Sequence, residues 1–272
     1  MNCDHVIITG GSSGIGLAIA KHYIREGYNL SIIARNETRL AEARQQLLGL
    51  CIYPAQNIGI YPADVASRQQ IESAISQAVN LLGIPQTLVT SAGAVVPGYF
   101  HSLPVEIFEN MMAVNYMGTV YAVKAVEPMM RSQGKGHIVM ISSGAGLIGV
   151  YGYSAYSPAK FAVRGFAEVL QAESEPYGIH VSVVYPPDTE TPQLEEERKL
   201  KPRETALITQ SGGVMSADDV AKAVMRGVRQ KKFIITPGYS MTMLGWLHSL
   251  IRPLLYSWFK YQIKKTETSS RQ

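Results

Sequence analysis

The sequence predicts an α/β fold, a doubly wound parallel sheet built as one domain and followed by a hydrophobic C-terminal helical extension. Three observations carry this expectation. Seven short runs rich in β-branched residues alternate with longer amphipathic stretches, a glycine-rich turn follows the first run, and an apolar tract at helical spacing lies near the end of the chain.

The seven runs are HVIIT (5–9), NLSII (29–33), IGIYP (58–62), QTLVT (86–90), HIVMIS (137–142), HVSVVY (180–185) and KFIIT (232–236). Strands joined through helices imply right-handed crossovers and therefore parallel pairing. At 272 residues and 46% hydrophobic the chain can bury a full core. No repeat, low-complexity tract or Gly/Ser/Pro-rich linker divides it before the tail. One domain is expected over 1–238, including a mobile substrate lid at about 188–212, with the extension at 239–272.

Composition narrows the function classes. Cys3 and Cys51 are too few and too far apart for a disulfide framework or a zinc knuckle, and the six histidines show no ligand spacing, so no metal is expected. A reducing, cytoplasmic setting fits. The chain enters HVIITG at once, and no signal peptide is expected. The net charge of +4 is unevenly spread: from Arg226 onward nine bases face one acid, Glu267. That charge flanks the apolar tract 239–259 instead of covering a folded face, which argues against nucleic acid and for the cytoplasmic face of a membrane. Leu244, Leu247, Ile251, Leu254, Leu255 and Trp258 recur at helical spacing, interrupted by His248, Ser249, Arg252 and Ser257 and followed by Lys260, Lys264 and Lys265. Arg252 and Pro253 near the middle disfavour a spanning helix. Two readings stay open. The tract is an interfacial helix anchored by Trp246, Trp258 and the lysines, or it covers a hydrophobic face of its own domain or of an oligomer partner.

The first motif is TGGSSGIG (9–16), between the first run and the helical segment LAIAKHYI. Gly10, Gly14 and Gly16 permit a tight turn, a close approach of backbone to a pyrophosphate and helix-on-strand packing, with the helix N-terminus facing the negative charge. After the second run, IIARN puts Arg35 where an acid would select NAD. A guanidinium there pairs with a ribose 2′-phosphate, which points to NADPH.

The second constellation is ISSGAGLIGVYGYSAYSPAK (141–160). A phenol with a reference pKa near 10 exchanges protons poorly at neutral pH unless its surroundings help. Tyr151, Tyr153 and Tyr156 compete for that role. Only Tyr156 has a lysine four residues on, which puts Lys160 on the same helical face, where its charge lowers the phenol pKa. Ser143 stands upstream at the carboxyl end of HIVMIS and completes the group.

With these motifs in this order, the chain resembles the short-chain dehydrogenase/reductase family over nearly its whole length. The resemblance implies a Rossmann-type domain holding NADPH/NADP at Gly10, Ser12, Ser13, Gly14, Ile15, Gly16 and Arg35. It adds Asp64 and Val65 of ADV at the adenine, Ala92 and Gly93 of TSAG, and Pro186, Thr189 and Thr191 past the sixth run. Four catalytic residues are implied. Ser143 polarises the substrate carbonyl, Tyr156 donates the proton, Lys160 binds the nicotinamide ribose and lowers the phenol pKa, and Asn115 of NYMG holds a relay water with Lys160. Tyr156 and Lys160 thus also touch the cofactor, and a homo-oligomer, dimer or tetramer, is expected.

The sequence departs from the family pattern in three places. Ser91 stands for an asparagine in the usual Asn-Asn-Ala-Gly, and Pro158 occupies an early helix position, which the first turn tolerates. Pro187 stands for the glycine of Pro-Gly-x-x-x-Thr, fixing φ at two successive residues and stiffening the nicotinamide wall. Beyond it EEERKLKPRE (195–204) reads as a charged lid helix. YPPDTETP, KPRETALI and YGYSAYSPAKFAVRGFAEVLQAE resemble the branch of 3-ketodihydrosphingosine reductases, which reduce a long-chain amino ketone. Eukaryotic members of that branch carry an N-terminal membrane anchor of which this sequence shows no counterpart. The expected function is NADPH-dependent reduction of a long-chain lipid ketone. The alternatives are another carbonyl (a 3-oxoacyl thioester, a steroid or a xenobiotic) and an NADPH-binding scaffold without turnover, against which intact Asn115, Ser143, Tyr156 and Lys160 argue.

Overall fold

All seven runs become strands of one parallel sheet. In chain order they are β1 (His5–Thr9), β2 (Asn29–Ala34), β3 (Ile58–Pro62), β4 (Thr87–Thr90), β5 (Gly136–Ile141), β6 (Ile179–Val184) and, after two short strands described below, β9 (Ile234–Ile235). Their spatial order is β3-β2-β1-β4-β5-β6-β9. This is a computed structural model, and it describes residues 4–210 and 212–269. Cys3 and Arg271 lie outside the described residues, as do the side chains of His248, Ser249, Ile251, Arg252, Lys264, Lys265 and Glu267.

The runs form strands because both faces of the sheet are buried, which rewards β-branched residues at every position. Ile7, Ile138 and Met140 point to one face, where they meet α3 (Arg68–Leu82), α5 (Gly118–Gln133) and α6 (Tyr156–Ser174). Val6, Ile8, Val139 and Ile141 point to the other, against α1 (Gly14–Arg25), α2 (Glu37–Leu48) and α9 (Ala217–Arg229). The polar residues opening two strands are satisfied inside: His5 Nε2 lies 2.8 Å from Ser31 Oγ and His137 Nε2 lies 2.8 Å from Ser182 Oγ. Burial lowers His137 to about 4, so the ring stays neutral in the core.

The strand order reverses between β1 and β4, and a crevice opens outside the carboxyl ends there, as open α/β sheets require. The chain between β6 and α9 lies over this crevice. It holds β7 (Asp188–Glu190), α7 (Pro192–Leu200), α8 (Arg203–Gln210) and β8 (Val214–Ser216), with β7 and β8 pairing in parallel. This charged stretch is ordered by its caps and ion pairs. Thr191 Oγ1 accepts from the Leu194 amide and Pro192 occupies the first turn of α7, where its missing donor costs nothing. Helix α10 (Tyr239–Ser269) follows β9 and folds back beside α8. Among the described residues no helix is long and apolar enough to cross a membrane.

Candidate active site

The crevice is a cleft of about 680 Å³. Gly10, Ser12, Ser13, Gly14, Ile15, Arg35, Val65, Ala92, Gly93, Pro186, Thr189 and Thr191 line it together with Ser143, Tyr156 and Lys160. Gly16, Asp64 and Asn115 do not line it. Gly16 sits one layer behind, where a Cβ would lie 2.3 Å from the Gly10 carbonyl oxygen, so its part is close packing of α1 on the turn. Asp64 turns its carboxylate back to accept from the Ala66 amide at 3.0 Å, leaving Val65 to face the cleft. Asn115 is fully covered beneath Gly93.

The nucleotide end is shaped by what it leaves unfilled. Gly10 has φ of 72°, and a Cβ there would lie 2.6 Å from the Ala92 amide nitrogen. Helix α1 starts at Ser13 with no side-chain cap and no acid in its first turn. By contrast α2, α3, α7 and α9 begin on Asn36, Ser67, Thr191 and Ser216, each accepting from the amide three residues on. The free amides and positive end of α1 therefore face the cleft, which fits a pyrophosphate. Arg35 and Arg39 stand at the same end. Arg39 escaped the sequence reading, although its spacing of four from Arg35 was the available signal.

The catalytic end is assembled from three elements. Ser143 follows β5; its Oγ accepts from the Ala145 amide at 3.1 Å, and the Gly144 amide donates to the Pro186 carbonyl at 3.0 Å. Tyr156 is the first residue of α6, and Lys160 lies on the same face with Nζ 5.6 Å from the phenol ring centroid. Lys160 Nζ donates to the Ile141 carbonyl at 3.1 Å, and burial lowers its pKa to about 8. Asn115 occupies a π-helical turn (Met112–Met117) ahead of α5, the widened winding often found at functional sites. Its Oδ1 accepts from the Ala94 amide at 3.2 Å and its Nδ2 donates to the Ala94 and Met111 carbonyls. A Cβ on Gly93 would lie 2.9 Å from Asn115 Oδ1 and 3.5 Å from Lys160 Nζ, so glycine keeps the space between those groups open.

Burial raises the Tyr156 pKa above its ordinary value. A hydrogen bond with Ser143 opposes this, and the nearby charges of Glu197 and Asp188 add to it. The Ser143 hydrogen bond pulls the phenol down, while the Lys160 ammonium, near the ring, gives its own hydrogen bond to the Ile141 carbonyl. A buried, protonated phenol and the serine hydroxyl beside it can each donate one hydrogen bond to the same oxygen, and the phenol can deliver its proton to it.

The other two tyrosines do not share this position. Tyr153 Oη donates to Glu197, which also pairs with Lys201 at 2.8 Å, and Lys201 reaches Asp188 at 3.0 Å. Tyr151 packs edge-on against Tyr99. Within the charged stretch Glu197 and Lys201 turn inward, with side chains 9% and 4% exposed. Their i,i+4 spacing was the only sequence signal of that pair. The paired prolines work through their carbonyls: Pro186 accepts from the Gly144 amide and Pro187 from Thr189 Oγ1.

A second cavity, about 230 Å³ and mostly apolar, adjoins Ser143, Tyr153 and Pro187. Ile148, Val150 and Ile208 form one side of it, and Met241, Leu244, Leu255, Trp258 and Phe259 of α10 form the other. Phe259 and Met241 are buried there, whereas Trp246, Leu250 and Leu254, spaced by four, point outward at 72–82% exposure. The apolar residues of α10 therefore divide between a face packed on the domain and a face left exposed.

The model of the short chain dehydrogenase family matches residues 4–202. The chain is 43% identical to the 3-dehydrosphinganine reductase of Danio rerio over 93% of its own length and 77% of that protein's. It is 41% identical to the 3-ketodihydrosphingosine reductase of Mus musculus, over 88% and 74%. Among solved structures, levodione reductase superposes with a TM-score of 0.78 at 24% identity, covering 86% of this chain and 95% of that one. A short-chain dehydrogenase/reductase from Burkholderia phymatum in complex with NAD does so with 0.81 at 22% identity, over 93% and 95%. Fold, motif order and these relatives agree: the chain belongs to the short-chain dehydrogenase/reductase family of oxidoreductases.

Proposed function

We propose that this chain is an NADPH-dependent ketoreductase that converts 3-ketodihydrosphingosine, a long-chain amino ketone, to dihydrosphingosine. The observation that carries the reading is the apolar cavity adjoining Ser143 and walled by α10, which suits an alkyl chain whose carbonyl lies at Ser143 and Tyr156. The relatives of that name support the same choice.

In this reading the turn at Gly10–Gly14 and the start of α1 hold the pyrophosphate, and Arg35 holds the ribose 2′-phosphate. Bound NADPH supplies the hydride that reduces the carbonyl carbon. Ser143 donates a hydrogen bond to the carbonyl oxygen. Tyr156 gives that oxygen its phenolic proton as charge develops there, so both donors act where the transition state is most negative. Lys160 holds the ribose and, with Asn115, a water that returns the proton to the phenol. With its pKa at about 8, the lysine is charged below that value and neutral above it. The rate of reduction should therefore fall as pH rises through about 8, and a rate that is flat from pH 7 to 9.5 would remove Lys160's charge from the mechanism.

Arg35→Asp should weaken NADPH far more than NADH, by about 100-fold or more in Kd, because a charge-assisted contact is replaced by repulsion. Equal weakening of both would make Arg35 structural. The segment 188–212 acts as the substrate lid, and 239–272 is an extension whose outward face meets an anionic membrane surface through Trp246, Leu250 and Leu254. The triple variant Trp246→Glu, Leu250→Glu, Leu254→Glu should lose co-sedimentation with anionic vesicles at low salt. Retained co-sedimentation would remove this face from the contact.

The reading is tested by NADPH oxidation with 3-ketodihydrosphingosine, a 3-oxoacyl thioester and a 3-ketosteroid. A preference for the first above about 100-fold in kcat/KM is expected, about 1.4 kcal/mol of transition-state discrimination per tenfold. A preference for either of the others would replace it.

A further inference from the structure

Two carboxylates and one ammonium meet at the catalytic end of the cleft. Glu197 receives two donors, Tyr153 Oη and Lys201 Nζ. Asp188, among the described residues, is paired with Lys201 alone, and its side chain keeps 21% exposure. Lys201 is 4% exposed, so its single charge cancels one acid in a place where water screens poorly. Of the two acids Asp188 has the fewer donors, so it is the one left with capacity for a further cation. Asp188 lines both the nucleotide cleft and the apolar cavity, as Ser143 and Tyr153 do. It also follows Pro187 directly, at the point where the sequence leaves the usual pattern of its family.

Left alone this arrangement is unfavourable, since charge taken out of water needs a partner. Burial raises the Tyr156 pKa first, and the charges of Glu197 and Asp188 add to it, so this negative charge also opposes release of the phenolic proton. A cation arriving with the substrate would relieve both. We propose that Asp188 binds the protonated amine of an amino ketone whose carbonyl is held at Ser143 and Tyr156 and whose alkyl chain fills the apolar cavity. This rests on the ketoreductase reading and adds to it the residue that selects a cationic group beside the carbonyl. An amine next to a carbonyl titrates near 8 or below, in the range of an α-amino group, so the cationic form is available at neutral pH.

The test compares kcat/KM for 3-ketodihydrosphingosine and for its analogue with hydrogen in place of the amine. Wild type should favour the amino ketone by about 30-fold or more. Asp188→Asn should reduce that ratio at least about tenfold, mainly through KM, and Asp188→Glu should restore part of it. If Asp188→Asn does not fold, the wild-type ratio decides alone, together with an N-acetylated ketone of the same chain length, which should behave like the deaminated analogue. A wild-type ratio within threefold, or a ratio that Asp188→Asn leaves unchanged, overturns the assignment and leaves the ketoreductase reading standing. Failure to reduce either ketone overturns that reading and this inference with it.

Discussion

Tyr156→Phe should lower kcat by about 10²–10⁴-fold, the contribution expected of a positioned proton donor. The substitution removes one hydroxyl from a buried ring and leaves the contacts of the ring in place, so the Kd for NADPH, read by quenching or calorimetry, should stay within about threefold. The expectation rests on geometry: Tyr156 and Tyr153 both line the cleft with Ser143 and Lys160, but the Tyr153 hydroxyl is committed to Glu197. Activity within threefold of wild type would dismiss Tyr156 and require another acid.

Leu255→Asp should lower kcat/KM for a long-chain ketone by about 100-fold or more and affect a short soluble ketone far less. Leu255 lies in the apolar cavity beside Trp258 and Phe259. An unpaired carboxylate there is stripped of water whenever an alkyl chain enters, a cost of several kcal/mol with no compensating contact. Leu255→Met, which keeps volume and polarity, should stay close to wild type. Equal losses on long and short ketones would show that the cavity shapes the fold and does not hold the chain.

The sheet was legible because its signal is strong and local. Each strand carries a β-branched run buried on both faces, and each helix between them shows its own period, so all seven strands could be read from the chain. The nucleotide turn was legible for a related reason, since Gly10 and Gly16 stand where any side chain would strike backbone. The inward turn of Glu197 and Lys201 was not legible. Charged residues at helical spacing look the same on a solvated face as in a buried ion pair, and only the fold over the cleft decides which. The tail was ambiguous for the opposite reason. Its apolar residues surround the helix, and periodicity alone does not tell the face that packs on the cavity from the face that stays outside. The role given to Lys160 met a similar limit: spacing puts it near Tyr156 but does not reveal that its ammonium is engaged by the Ile141 carbonyl.

On the proposed reading, hydride goes to the carbonyl carbon of a long-chain amino ketone held between Ser143, Tyr156 and the α10 cavity. Transfer of label tests it directly. The protein is incubated with 3-ketodihydrosphingosine and NADPH carrying deuterium at the transferable position, and the product is weighed by mass spectrometry. Dihydrosphingosine with one deuterium on the carbinol carbon is expected, formed in step with NADPH oxidation and suppressed by Tyr156→Phe. Product without deuterium, or NADPH consumed with the ketone left intact, would contradict it.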